Sequence, residues 1–114
     1  MSLLLIYEEY NSLNKRYLDF INNVIDQNLE EYSDSILEEL REYKVKFEEI
    51  LDKTTLEKET SENEDNLNDL KYLTLDSLFL ATDLSNFYFC KEKERFKMRL
   101  VNYINKKRRS ELGF

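Results

Sequence analysis

Proline, histidine and tryptophan do not occur in this chain, and glycine occurs once, at Gly113. Tight turns and hairpins draw on glycine for φ > 0 and on proline for a fixed φ. A chain of 114 residues without them excludes a turn-rich β fold and predicts long helices. The missing histidine removes the commonest metal ligand, the one side chain that titrates near neutrality unaided, and the Glu-x-x-His motif of di-iron bundles. A single glycine cannot furnish a Gly-rich phosphate loop. Cysteine is nearly absent: Cys90 alone makes no internal disulfide, CxxC pair or zinc cluster, which points to a reducing, cytoplasmic setting. Lys91 and Lys93 beside it favour a thiolate, but with no histidine base Cys90 reads as a small buried side chain.

Long apolar runs are missing as well. Leu3-Leu4-Leu5-Ile6 has no basic stretch before it and runs into Glu8-Glu9, unlike a signal peptide. Nothing approaches the ~20 apolar residues of a membrane span, so no membrane partner is expected.

Charge is abundant and uneven. The chain carries a net −7, yet from Lys91 to Ser110 nine basic residues stand against Glu92 and Glu94. The remainder is correspondingly acidic, a polarity that bears on partners.

Periodicity supplies the architecture. Ile6, Tyr10, Leu13, Tyr17, Phe20 and Val24 recur at alternating steps of four and three, predicting an amphipathic helix over about residues 3 to 27. Asp26-Gln27-Asn28 interrupts it. A second stripe runs through Leu29, Tyr32, Ile36, Leu40, Tyr43, Phe47 and Ile50, either as a bent continuation or as a fresh helix. Ser35-Ile36-Leu37-Glu38 matches a capping box and favours a start near Asp34. Residues 54–66 are polar and acidic with one leucine, which predicts a linker. Leu67, Leu70, Leu73, Ser77, Leu80, Leu84 and Phe87 form a third helix, and Tyr72, Leu75, Leu78 and Phe79 widen its stripe. This helix is the most apolar and is expected at the centre. Thr74 and Asp76 alternate with Leu73 and Leu75 as in a strand, but no turn chemistry borders them. The last segment puts Phe89, Phe96, Leu100, Tyr103 and Ile104 on one face, either fused to the third helix or separated by a break capped at Asp83 or Ser85. The fold class is therefore all-α: a single helical domain, an antiparallel bundle of three to four long helices.

Chemistry finds little to hold. Glu39 with Glu42, and Glu49 with Asp52, have the ExxE and ExxD spacings by which all-helical enzymes hold divalent metals. They sit in one continuous periodic stretch, too close in sequence to converge from facing helices, and read as a solvated face. Neither enzyme activity nor a cofactor or metal is expected. Arg95, Arg99, Lys106, Lys107, Arg108 and Arg109 form a basic patch on the last helix. It answers to three descriptions: compensation of the chain's own acids and helix dipole, docking of an acidic protein, or binding of nucleic acid. Phe87, Tyr88 and Phe89 point about 100° apart on a helix, so one flank cannot bury all three. They mark either a wedged corner or a partner surface.

The two N-terminal amphipathic helices, the break Asp26-Gln27-Asn28 followed by Leu29-Glu30-Glu31, the segment from Leu37 to Ile50 and the charged last helix resemble the small flagellar export chaperones that guard the filament-cap subunit. The resemblance implies an all-α bundle whose apolar groove shields a partner's helix, with the last helix able to cover that groove. The expected function is a non-enzymatic chaperone or adaptor that holds a partner helix in a groove between the first hairpin and the third helix. Tyr10, Tyr17, Tyr43 and Phe47, with Phe87, Tyr88 and Phe89, are its candidate contacts, or equally core. A homodimer through the same surfaces is a variant. The alternative is a small nucleic-acid-binding regulator using the basic C-terminal helix.

Overall fold

The computed structural model describes residues 2–111, and every regular element in it is helical: α1 (Leu3–Asn23), α2 (Asp34–Leu56), α3 (Glu64–Phe89) and α4 (Lys93–Glu111), with a π-helical turn Val24–Asn28 after α1. The chain is an up-down-up-down bundle, all-α as its composition predicts. Residues 72–80 lie within α3, so the alternation there is the outer edge of a helix.

Each end has a local cause. Ser2 opens α1, its hydroxyl accepting from the Leu5 N–H at 3.3 Å. The π-turn resolves the polar break after α1. Its i→i+5 spacing brings Leu29 round to the side of Val24, and both are buried. A fresh helix then begins at Asp34, as the sequence suggests, but its cap is Ser33, which accepts from Ile36 N–H at 3.4 Å, rather than Ser35. Helix α2 outruns its expected end because Thr54 turns its hydroxyl onto the Leu51 carbonyl at 2.7 Å and is wholly buried. The acidic linker shrinks to residues 57–63. There Thr60 and Asn63 exchange side chain to backbone bonds of 2.7 and 3.3 Å, a turn made without glycine or proline.

The break before α4 falls at residues 90–92, not at Asp83 or Ser85. Asp83 faces α4, and Ser85 bonds its own helix at the Thr82 carbonyl. Helix α3 ends in a Schellman arrangement: Glu92 N–H donates to the Phe87 carbonyl at 2.8 Å and Lys91 N–H to the Tyr88 carbonyl at 3.0 Å. Lys91 occupies the left-handed position at φ 60°, where glycine is usual. Because the helix ends there, Cys90 is exposed, contrary to its expected burial.

Helix α3 is the central element, as its composition predicts, and packs against α1, α2 and α4. Helices α2, α3 and α4 form a layer, and α1 lies over one side of it. The molecule is correspondingly flat, 49 × 31 × 19 Å. The core between α1 and the layer is aromatic. Tyr17 meets Tyr43 and Phe47 at ring-centroid distances of 5.1 and 5.5 Å, and Tyr10 meets Phe47 at 6.4 Å. Leu40, Leu70, Leu80, Leu84 and Phe96 complete it, each fully buried. Such packing is worth roughly 1.5–3 kcal/mol per large side chain before ordering costs.

Candidate functional site

The groove expected between the first hairpin and α3 is closed by its own side chains. Tyr17 and Phe47 are 0% exposed and Tyr10 is 3% exposed, so these three are core rather than contact residues. Only Tyr43 reaches the rim. It is half-buried, stacked on Phe20 at 5.5 Å, with Lys46 at 5.3 Å from its ring. The reason is geometric: a stripe read along one helix cannot tell whether the facing helix belongs to the same chain.

Beneath this groove the sequence reading missed a buried polar cluster. Ser77 on α3 bonds Tyr10 at 2.9 Å and donates to Asn14 Oδ1 at 2.9 Å, while Asn14 donates to the Tyr103 hydroxyl at 3.4 Å. One serine thus ties α1, α3 and α4 together. Asn14 falls one residue after Leu13 on the apolar side of α1, and that position was the available signal. Burial pushes the Tyr10 hydroxyl far above the ordinary tyrosine range. Tyr17 is raised further by the same cause, and its hydroxyl is buried without a hydrogen-bond partner among the described residues.

The aromatic run divides three ways. Tyr88 is buried, accepting from Ser33 N–H at 2.8 Å and stacking on Tyr32 at 5.4 Å. Phe87 is half-buried in a cleft of about 390 Å³ between the Leu29–Tyr32 turn and the α3–α4 corner. Lys91 lies 5.2 Å over Tyr32 at its mouth, and Lys93 bonds Glu30 at 2.6 Å, holding that carboxyl below the usual range. Phe89 is 56% exposed, with the Arg41 guanidinium 5.6 Å above its ring.

Phe89 ends a longer feature. On the side of α3 away from α1 stand Tyr72, Leu75, Phe79, Thr82, Asn86 and Phe89, alternating by three and four. Tyr72 is 70% and Phe79 55% exposed. This is the a/d spacing of a heptad seam, ~25 Å long at 1.5 Å per residue, and among the described residues no helix packs on it; Arg41 reaches over it only at Phe89. Helix α4 supplies one bank. Arg99 bonds Asp83 at 2.8 Å and Lys106 approaches Asp76 at 3.4 Å, while Arg95, exposed Met98 and Arg109 share the outward side by helical spacing. Helix α2 supplies the other bank with Arg41, exposed Val45, Glu48 and Asp52, spaced by four, seven and eleven from Arg41.

The basic patch is accordingly split. Arg99 and Lys106 compensate acids of α3, and Arg95 lies 3.4 Å from Glu92. Lys107 lines a separate cleft with Tyr7, Tyr10 and Tyr103. Lys107, Arg108 and Arg109 are exposed and form no ion pair among the described residues. No group of three or more His, Cys, Asp or Glu residues suited to a metal occurs among the described residues, and no helix there is long and apolar enough to cross a membrane.

Comparison of the chain with protein-family models, with curated proteins and with solved structures finds no match in any of the three.

Proposed function

We propose that the chain is a non-enzymatic, protein-binding helical module of the chaperone or adaptor class, and that it engages a partner helix on the uncovered face of α3. One observation carries this reading: Tyr72, Phe79 and Phe89 stand exposed in one seam, with half-buried Leu75 between them, on the most apolar helix of the molecule. Water-exposed aromatic residues in register on a small protein mark an interaction surface. The helix-in-groove mode needs such anchors at i, i+3 and i+7 between two polar banks, and α2 and α4 are those banks. Placing the contact here moves it from the closed groove to an exposed helix face and keeps the class of function that the resemblance to export chaperones suggests.

The nucleic-acid reading rests on Lys107, Arg108 and Arg109. It has few charges to work with, because Lys93, Arg99 and Lys106 already meet acids of the same chain. About three phosphate contacts give shallow salt dependence and weak binding.

Capture from nuclease-treated extract of the source cells distinguishes the two. The docking reading expects a protein retained by the wild type through about 0.5 M salt and lost by Phe79→Asp. Retention of nucleic acid that survives Phe79→Asp but disappears when Lys107, Arg108 and Arg109 become Ala overturns it.

A further inference from the structure

The open seam has a regular partner available in the same sequence, and we infer that the face of α3 is covered by α3 of a second copy, packed parallel about a two-fold axis that runs along the helix. This rests on the reading of that face as a docking surface and names its occupant.

Three observations select a second copy in this orientation. The first is the seam's composition. With Tyr72, Phe79 and Asn86 at a positions and Leu75, Thr82 and Phe89 at d, a parallel pairing sets each residue against itself. Asn86, exposed in the single chain, then meets Asn86 of the second copy, and an a-position asparagine pair fixes register in parallel two-stranded seams.

The second is the flank of the seam. Lys71 occupies the g position before Tyr72, and Asp76 the following e position, five residues on. In a parallel pair the g and e positions so spaced face each other across the seam, giving Lys71 to Asp76 twice over. Asp76 is the half-buried carboxylate that also approaches Lys106, so one acid serves two cations.

The third is the charge of the banks. The α2 bank carries Glu48 and Asp52 toward its C-terminal end and Arg41 beside Phe89, while the charged residues of the α4 bank, Arg95, Arg99, Lys106 and Arg109, are all basic. A two-fold axis along the seam lays α4 of one copy over α2 of the other. Glu48 and Asp52 then lie toward Lys106 and Arg109 of the second copy. An axis across the seam would instead make α3 antiparallel and lay α4 on α4, basic against basic. Like-charge juxtaposition disfavours that arrangement, and complementary banks favour the parallel one.

The full chain tests this by sedimentation velocity and by cross-linking. The wild type is expected at twice 13.9 kDa in the micromolar range. Phe79→Asp, at an exposed position, is expected to keep its helical circular dichroism and to raise the dimer Kd on the order of 100-fold or more. Tyr72→Lys provides a second disruption at the other end of the seam. Tyr72→Cys in a Cys90→Ser background is expected to form a disulfide dimer on mild oxidation, because Tyr72 meets Tyr72 in the parallel pair and lies ~25 Å along the axis from it in an antiparallel one. A dimer in which Tyr72→Cys stays unlinked, while mixed Tyr72→Cys and Phe89→Cys chains cross-link, overturns the orientation. A wild-type monomer at all concentrations overturns the second copy as occupant. If that monomer still retains a client that Phe79→Asp loses, the docking face itself stands; if it retains none, both fall.

Discussion

Lys91 is the residue whose backbone departs furthest from preference. A non-glycine residue at φ 60° costs about 1 kcal/mol, and here it terminates α3 where the chain offers no glycine. Lys91→Gly is expected to raise stability by about 0.5–1 kcal/mol in urea titration, less whatever the ammonium gains over Tyr32. Tyr17 presents the opposite case, a side chain well packed at every atom but one. Its hydroxyl is buried without a partner among the described residues, so Tyr17→Phe is expected to be neutral or stabilising by up to about 1 kcal/mol. The same group makes stability depend on alkaline pH. Burial raises the phenol's folded pKa above its unfolded value near 10, so the folded state holds the proton more tightly. That stability is complete below about pH 10 and is lost as pH rises beyond it, by about 1.4 kcal/mol per pH unit for each such tyrosine. Unfolding at about pH 8 and at about pH 11 should therefore differ less in Tyr17→Phe than in the wild type.

At the scale of the element, the helices were legible because they are long and their apolar residues keep one period. Their ends were less so. The π-turn at 24–28, the choice of Ser33 over Ser35 and the break at residue 90 depend on backbone geometry that polar residues permit without dictating. Asp83 and Ser85 looked like caps, but Asp83 turns to Arg99 of α4 and Ser85 to the Thr82 carbonyl, and α3 runs on through both. The contact among α1, α3 and α4 depends on Ser77, whose hydroxyl neighbours three polar groups. Asn14→Ala would leave Ser77 and the Tyr103 hydroxyl short of a partner at a buried site. A loss of about 1–3 kcal/mol is expected, with hydrogen exchange in α4 accelerated more than in α2. Equal acceleration in both helices would mean that the cluster does not fasten α4 in particular.

For the whole molecule, the sequence showed that α3 carries apolar residues around most of its circumference, and this was read as burial at the centre. Half of that reading holds. One side of α3 is the core, while Tyr72, Phe79 and Phe89 on the other side stand in water. A single chain's pattern records that a face is apolar and cannot record whether its cover comes from the same chain. For the same reason Tyr10, Tyr17 and Phe47 looked like contacts and proved to be core. The two kinds of surface on the docking face should separate by salt. An apolar seam is insensitive to screening, whereas the banks of α2 and α4 act over distances comparable with the Debye length, about 10 Å at 0.1 M. Raising salt from about 0.05 to 0.5 M is therefore expected to weaken association on this face by less than tenfold, mostly through a slower on-rate, as read by concentration-dependent sedimentation and stopped-flow mixing. Arg95→Gln and Arg109→Gln together should flatten even that response without abolishing association. A loss of several hundredfold over the same range would mean that the banks, not Tyr72, Phe79 and Phe89, hold the partner.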